Sequence, residues 1–120
     1  MTKTETKFRQ FANKLYPDGF IRKMPDFKTG AKGVGGLPDY LVINGGQTIW
    51  YEVKKVPGYT INLESHFTEA QKMIFPQMNK AGAGILIFCF YRGGIKIIGF
   101  DELYRYQKIK LENNKNEKKK

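Results

Sequence analysis

Cysteine and histidine are almost absent from this sequence, which has one of each, Cys89 and His66. A single cysteine excludes an intramolecular disulfide, and one Cys with one His cannot supply the ligands of a structural zinc site. Any metal ion that the chain binds must therefore be held by oxygen ligands. His66 falls in a predicted loop, where a local hydrogen bond is a more frequent role for histidine than proton transfer.

Long hydrophobic runs are also missing, since none approaches the roughly 20 apolar residues of a membrane-spanning helix. Residues 1–7 carry charges where a signal peptide has its apolar region. We therefore expect a cytoplasmic protein with no membrane partner. The chain has 120 residues, of which 41% are apolar, so it is long enough for one domain with a single core and too short for a multidomain enzyme.

Acidic residues are scarce: 11 Asp and Glu stand against 21 Lys and Arg, which gives a net charge of +10. Such an excess favours a polyanionic partner, above all nucleic acid, because each neutralised phosphate releases a condensed counterion. The charge is concentrated in two flanks, +5 in residues 1–33 (eight basic, three acidic) and +4 in residues 107–120 (six basic, two acidic). The basic residues expected to contact a nucleic-acid backbone are Arg9, Lys14, Arg22, Lys23, Lys28 and Lys32.

The first part of the chain predicts a helix, a short strand and a loop. The helix is amphipathic and ends before Pro17, because apolar residues recur at helical spacing: Phe8, Phe11, Ala12 and Leu15. A strand is expected over residues 19–24. Residues 25–36 contain four glycines and are expected to form a mobile loop, which either contacts a DNA strand through Lys28 and Lys32 or is simply flexible.

Residues 38–54 have the clearest pattern, two apolar strands joined by Gly45-Gly46, which is typical of a β-hairpin. A polar loop to His66 and a helix from Thr68 to about Lys80 are expected next. The residues expected on the buried side of that helix are Ala70, Ile74, Met78 and Ala81, and Pro76 is expected to kink it.

Residues 84–91 are continuously apolar, which predicts a central strand covered on both faces. A strand over 95–100 and a short helix that is capped by Asp101 complete the domain. The order α, β, β, β, α, β, β, α predicts an α/β fold in which helices flank a mixed central sheet. We expect residues 1–107 to form this domain and residues 108–120 to be a basic, disordered tail.

The predicted hairpin brings two carboxylates together. If Gly45-Gly46 forms the turn, Leu41 faces Trp50 and Asp39 faces Glu52, with Cβ atoms about 4.5–5.5 Å apart. Strand alternation places Lys54 on the same face as Glu52. Like charges that face each other destabilise the pair, so this arrangement needs a compensating partner.

A divalent cation is the natural partner for such a pair. Mg²⁺ binds through one or two carboxylates and takes substrate phosphate as a further ligand, and we expect Mn²⁺ to substitute for it. The ion would polarise the phosphate and lower the pKa of bound water, while the Lys54 ammonium orients that water or stabilises developing charge. The alternative is structural: Asp39 begins a turn after Pro38, and Glu52 and Lys54 are solvated strand residues.

These residues form a known pattern. Gly-Leu-Pro-Asp at 36–39, followed after twelve residues by Glu-Val-Lys at 52–54, resembles the motif of the PD-(D/E)xK nuclease superfamily. The resemblance covers about residues 5–91 and implies a restriction-endonuclease-like fold. Among its branches, the chain looks most like the Holliday-junction-resolvase-like and virus-type replication-repair nucleases.

The resemblance implies further site residues. Glu5 is the implied carboxylate of the first helix, the backbone carbonyl of Val53 is the implied third protein ligand of the metal, and Gln71 is the implied glutamine near the substrate. Each has a plain alternative. Glu5 suits the dipole of a first helical turn, and Gln71 can close a capping box with Thr68.

The functional prediction is a Mg²⁺-dependent DNA endonuclease acting on branched DNA in recombination, replication or repair, with Asp39, Glu52, Lys54, Glu5 and Gln71 in its active site. Resolution of a junction by so small a chain implies a homodimer with two sites. A flap or nicking nuclease of the same superfamily is the nearest alternative. A noncatalytic basic DNA- or RNA-binding protein would explain the charge equally well.

Overall fold

A computed structural model describes residues 2–25 and 35–111. Most of the glycine-rich loop expected at 25–36, with Lys28 and Lys32, lies outside the described residues, as does the end of the predicted tail, 112–120. None of the described helices is both long enough and apolar enough to cross a membrane.

The described residues form four helices and seven strands. In chain order these are α1 (Lys3–Leu15), β1 (Phe20–Lys23), β2 (Tyr40–Asn44), β3 (Gln47–Lys55), β4 (Thr60–Asn62), α2 (Leu63–His66), α3 (Glu69–Lys80), β5 (Gly84–Tyr91), β6 (Gly94–Gly99), α4 (Phe100–Tyr106) and β7 (Lys108–Lys110).

A mixed five-stranded sheet forms the centre of the described part of the chain, in the order β1-β2-β3-β5-β6. Only β3 and β5 pair in parallel, and the other neighbours are antiparallel. β5 is central and contributes to apolar clusters on both faces, which confirms the prediction from its unbroken apolar sequence. The predicted mixed α/β architecture with flanking helices is likewise confirmed.

The β2–β3 hairpin has the predicted register, with Asn44 opposite Gln47 and Leu41 opposite Trp50. Gly45 and Gly46 both have positive φ, +60° and +80°. Two consecutive residues of that kind make a type I′ turn, whose twist matches that of the flanking strands. The turn therefore fixes which residues face each other at the far end of the hairpin.

Each face of the sheet packs against different helices. On the α1 face, Phe8 is fully buried and its ring lies 4.5 Å from that of Tyr40 and 5.1 Å from that of Tyr51. On the α3 face, Phe75 of α3 and Phe100 of α4 are fully buried, with ring centroids 5.4 Å apart. β3 alternates between the two clusters, so Tyr51 points to α1 while Trp50, Glu52 and Lys54 point to α3.

Two predictions about buried helix faces are wrong. Leu15 is 53% exposed, because Tyr16 takes the buried position at the end of α1 and its hydroxyl contacts that of Tyr51. In α3, Ala70 and Ala81 are exposed, since the helix is oriented to bury Phe75 between the rings of Phe67 and Phe100. Pro76 lies inside α3, which continues to Lys80.

The segment expected to be a polar loop up to His66 instead contains β4 and α2. Ile61 is fully buried, and the Asn62 side chain caps α2 by accepting from the backbone N–H groups of Glu64 and Ser65. α4 also begins earlier than predicted, with Gly99 at the N-cap and Asp101 within the first turn.

The predicted boundary after residue 107 lies too early. β7 pairs with β4, with Ile109 opposite Ile61, and Leu111 is 1% exposed. The packing of Ile109 against the core and the burial of Leu111 hold the start of the predicted tail in the fold, although lysines surround them in the sequence. Residues 108–111 therefore belong to the domain.

Candidate active site

The predicted site residues lie where the sheet opens between β2 and β3. Pairing of β2 with β3 begins at Tyr40 opposite Tyr51, whereas β3 continues to pair with β5 as far as Lys55. At this point the backbone N–H of Val53 donates to Oδ2 of Asp39 over 2.9 Å, and the carbonyl of Asp39 accepts from the N–H of Met24 over 2.7 Å. Asp39 is thus fixed to both neighbouring strands directly before β2.

Glu52, Lys54 and Gln71 form a hydrogen-bonded triad on the α3 face. Nε2 of Gln71 donates to Oε2 of Glu52 over 2.8 Å, and Nζ of Lys54 donates to Oε1 of Gln71 over 3.0 Å. Lys54 Nζ also lies 3.2 Å from Oε2 of Glu52 and 4.4 Å from the centroid of the Phe67 ring. The amine is therefore held in one position by an acid, an amide and an aromatic face.

Gln71 forms the capping box that the sequence predicts as its structural role, and it also contacts two other candidate site residues. Its backbone N–H donates to Oγ1 of Thr68 and its Oε1 accepts from the backbone N–H of Thr68, each over 3.1 Å, which is a complete capping box. The same side chain reaches Glu52 and Lys54. Gln71 can therefore close the helix cap and contact Glu52 and Lys54 at the same time.

Burial makes Glu52 an unusual acid. The residue is 2% exposed, and its Oε1 has no hydrogen-bond partner within the described residues. Burial, and after it the nearby charge of Asp39, raises the pKa of Glu52 to about 7 against the opposing effects of Lys54 and Gln71. Burial also raises the pKa of Asp39, although the Val53 N–H and the charges of Lys23 and Lys54 oppose it. The charge of Asp39 therefore disfavours the ionised form of Glu52, an effect of the kind that the hairpin register predicts.

Glu5 lies on the other face of the sheet, in the N-terminal capping box of α1. Its Oε1 accepts from the backbone N–H of Thr2, and its Oε2 pairs with Nζ of Lys23 on β1. The Lys23 hydrogen bond is the main reason that the pKa of Glu5 is lowered. Glu5, Asp39 and Val53 line one cleft of about 380 Å³ that Glu52 does not line, so Glu5 lies near Asp39 and apart from Glu52.

The predicted nucleic-acid contacts differ in their surroundings. Lys23 is engaged by Glu5, and the Arg9 guanidinium lies 5.4 Å from the Tyr40 ring centroid with an Nε that is buried and has no partner in the described part of the chain. Lys14 and Arg22 are exposed. The local hydrogen bond expected of His66 is present, since its Nδ1 accepts from the backbone N–H of Asn62 over 2.9 Å.

Phe20 was missed by the sequence analysis, and Arg22 was considered only for its charge. Phe20 and Arg22 lie on one face of β1, opposite Ile21, and the guanidinium lies 6.0 Å from the ring centroid. The alternation in Phe-Ile-Arg-Lys could have shown that they share a face. It could not have shown that they share the face of Glu52, because the pairing partner of β1 was unknown.

The oxygen chemistry of Asp39 and Glu52 fits a hard divalent cation. Oε1 of Glu52, a buried carboxylate oxygen without a hydrogen-bond partner in the described residues, would be stabilised by coordination to such an ion. The Val53 carbonyl would complete the ligand set expected from the motif. Within residues 2–25 and 35–111 there is no group of three or more His, Cys, Asp or Glu side chains that could hold a metal ion. Any ion here would keep several waters or take substrate oxygens.

Comparison of the chain with protein-family models, curated proteins and solved structures gives no match.

Proposed function

We propose that this protein is a metal-dependent DNA endonuclease of the PD-(D/E)xK type, with a restriction-endonuclease-like fold. The observation that carries the proposal is the state of Glu52, a carboxylate that is 2% exposed, has an unpartnered oxygen within the described residues and lies beside Asp39. A solvated strand residue would be exposed. A purely structural buried acid would have both oxygens satisfied.

The proposal gives each residue a distinct task. Asp39, Glu52 and the carbonyl of Val53 hold Mg²⁺, or Mn²⁺ in its place. The bound ion supplies Lewis-acid polarisation of the phosphate and acidification of water. Lys54, held by Gln71 and Glu52, offers an N–H to the attacking water or to the phosphate oxygens that gain charge. Hydrolysis adds hydroxide to phosphorus and a proton to the leaving oxygen.

Glu5 has a supporting task in this scheme. It holds Lys23 against the cleft that Asp39 lines, where the charge of Lys23 favours the ionised form of Asp39 by more than the charge of Glu5 opposes it. Asp39 must be ionised to bind a cation, so the Glu5–Lys23 pair acts on the site through electrostatics.

The substrate proposed is branched DNA, processed in the cytoplasm during recombination, replication or repair. The net charge of +10 supports a polyanionic substrate. Paired cuts across a Holliday junction need two active sites, so resolvase activity in a chain of this size calls for a homodimer. A flap or nicking nuclease needs only one site.

Cleavage assays on four-way junctions, flaps, nicked duplexes and linear duplexes test the proposal, each with Mg²⁺, Mn²⁺ or EDTA. We expect cleavage that requires the ion and is lost in Asp39→Asn, Glu52→Gln and Lys54→Met, while DNA binding is retained. Matched controls are the exposed residues Asp101→Asn and Glu102→Gln, which make the same chemical changes on α4. Sedimentation of the active species decides between monomer and dimer.

A noncatalytic nucleic-acid-binding protein predicts another result. The chain would bind every substrate and cut none, with any added ion. Asp39→Asn and Glu52→Gln would then leave the only measurable property, binding, intact or improved. That outcome would refute the nuclease proposal.

A further inference from the structure

One face of the β1–β2–β3 part of the sheet combines exposed apolar side chains with an arginine. Strand register and alternation place the following residues on this surface, which we call the open face: Phe20, Arg22, Leu41, Ile43, Thr48 and Trp50. Phe20 is 50% exposed and Ile43, directly opposite it, is 40% exposed. The open face is continuous with the candidate active site, since Glu52 follows Trp50 by two residues on the same side of β3.

We propose that the open face binds an unpaired segment of DNA, with a base stacked on the Phe20 ring and Arg22 contacting the adjoining phosphate. An exposed aromatic ring beside a cation on an open sheet face is the combination that single-stranded nucleic acids use, because every base has a stacking face and every linkage has a charge. The Arg22 guanidinium lies over the Phe20 ring, 6.0 Å from its centroid, so the cation is close to any base that stacks on the free side of this ring. The inference rests on the proposed function only for the cleavage of the bound strand at the candidate active site.

Charge favours DNA over a second copy of this chain as the occupant. Arg22 lies between the exposed apolar residues and the two carboxylates, so an apolar partner would have to bury an arginine without a counter-ion. A phosphate backbone, in contrast, neutralises Arg22 and releases counterions.

The spacing along β2 relates the bound base to the scissile phosphate. Ile43, opposite Phe20, is four residues from Asp39, which is about 13 Å along a strand. Stacked nucleotides are about 3.4 Å apart, so the base on Phe20 lies within roughly four nucleotides of the phosphate at Asp39, and closer in sequence if the strand is extended. The preferred substrate therefore has unpaired nucleotides beside the cut, as a flap does and a fully paired junction does not.

Binding of a fluorescent oligothymidylate and of a duplex of equal length, measured by anisotropy with the full chain in EDTA, tests this inference. Phe20→Leu is expected to weaken oligothymidylate binding about tenfold and to leave duplex binding unchanged, because only the stacked base loses its partner. Phe20→Trp, which keeps a ring, is expected to restore the affinity. Trp50 is the single tryptophan, and we expect oligothymidylate to quench its emission in the wild-type chain.

The chain offers a matched control in Tyr106, which is 59% exposed on α4 with the Arg105 guanidinium 5.9 Å from its ring centroid. Tyr106→Leu should leave both affinities unchanged. The inference is overturned if Phe20→Leu has no effect, weakens duplex and single strand equally, matches Tyr106→Leu, or changes only the oligomeric state. Because EDTA removes the metal ion that cleavage needs, this experiment measures binding alone. A chain that never cuts DNA can still show the expected binding, and an active nuclease can fail to show it.

Discussion

The side-chain amide of Gln71 donates a hydrogen bond from Nε2 to Oε2 of Glu52 over 2.8 Å. Its carbonyl oxygen accepts from Lys54 and from the backbone of Thr68, so the orientation of the amide is fixed by the cap of α3. The N-terminus of one helix thereby positions both Glu52 and Lys54 of the candidate site. The contribution of Gln71 to the helix cap can therefore be distinguished from its contribution to the site only by comparing variants.

Thr68→Ala and Gln71→Ala should have different effects. Each breaks the capping box, which we expect to cost about 1 kcal/mol of unfolding free energy. Gln71→Ala also removes a hydrogen bond from each of two charged groups, so we expect about tenfold slower cleavage with that variant and an unchanged rate with Thr68→Ala. Urea unfolding and single-turnover cleavage measure the two effects. Equal cleavage rates in the two variants would reduce Gln71 to a cap.

Unfolding free energy should depend on pH through Glu52. Its pKa is 4.5 in the unfolded reference and about 7 in the fold, so the folded state binds the extra proton between these values. Stability from this group is therefore greatest at low pH and falls as pH rises from 4.5 to about 7, by about 3 kcal/mol in total. Glu52→Gln in metal-free protein should remove this decrease, which urea titrations at several pH values can measure.

The matched control for that series is Glu102→Gln, an exposed acid on α4 that should leave the pH profile unchanged. Asp39→Asn gives a second check. Because the Asp39 charge raises the pKa of Glu52, removing it should move the fall in stability to lower pH. A profile that is identical in wild type and Glu52→Gln would contradict the raised pKa of the buried Glu52.

Divalent ions should reverse this loss of stability. If Asp39 and Glu52 bind Mg²⁺ or Mn²⁺, an ion concentration about 100 times its dissociation constant stabilises the fold by about 2.7 kcal/mol. The gain should increase with pH up to about 7, as Glu52 loses its proton. Thermal unfolding with ion and with EDTA measures it. Asp39→Asn and Glu52→Gln should abolish the shift and Asp101→Asn should keep it, whereas equal shifts in all variants would indicate a general salt effect.

Local patterns predicted the parts of the site that depend on neighbouring sequence. The Gly45-Gly46 turn and the period-two alternation of its strands are enough to place Lys54 on the face of Glu52. The capping box between Thr68 and Gln71 is likewise a local signal. These features need no knowledge of the rest of the chain, because backbone geometry over a few residues determines them.

Contacts between distant segments could not be predicted in the same way. The Glu5–Lys23 pair depends on how α1 crosses the sheet, and the exposure of Phe20 depends on which strand pairs with β1. β4 and β7 are three residues each, and their pairing places Ile61 opposite Ile109 across a long stretch of sequence. Short strands carry too little periodicity to show such pairing in advance.

A buried pair of tyrosines offers a test of the α1 face. The hydroxyl oxygens of Tyr16 and Tyr51 lie 2.7 Å apart, and Tyr51 is 1% exposed. Replacing one tyrosine by phenylalanine leaves the other hydroxyl buried without its partner, at a cost of about 1–2 kcal/mol. Replacing both removes the unpaired group, so the double variant should lose less unfolding free energy than the sum of the single variants.

Urea unfolding of Tyr16→Phe, Tyr51→Phe and the double variant completes this cycle. Tyr104→Phe, a hydroxyl removed from a residue that is 48% exposed, should have almost no effect and is the matched control. Burial and the Tyr16 hydrogen bond both raise the pKa of Tyr51, so Tyr51 stays protonated and able to donate from acid to mildly alkaline pH. Strictly additive losses would mean that the two hydroxyls contribute independently to the packing of α1 on the sheet.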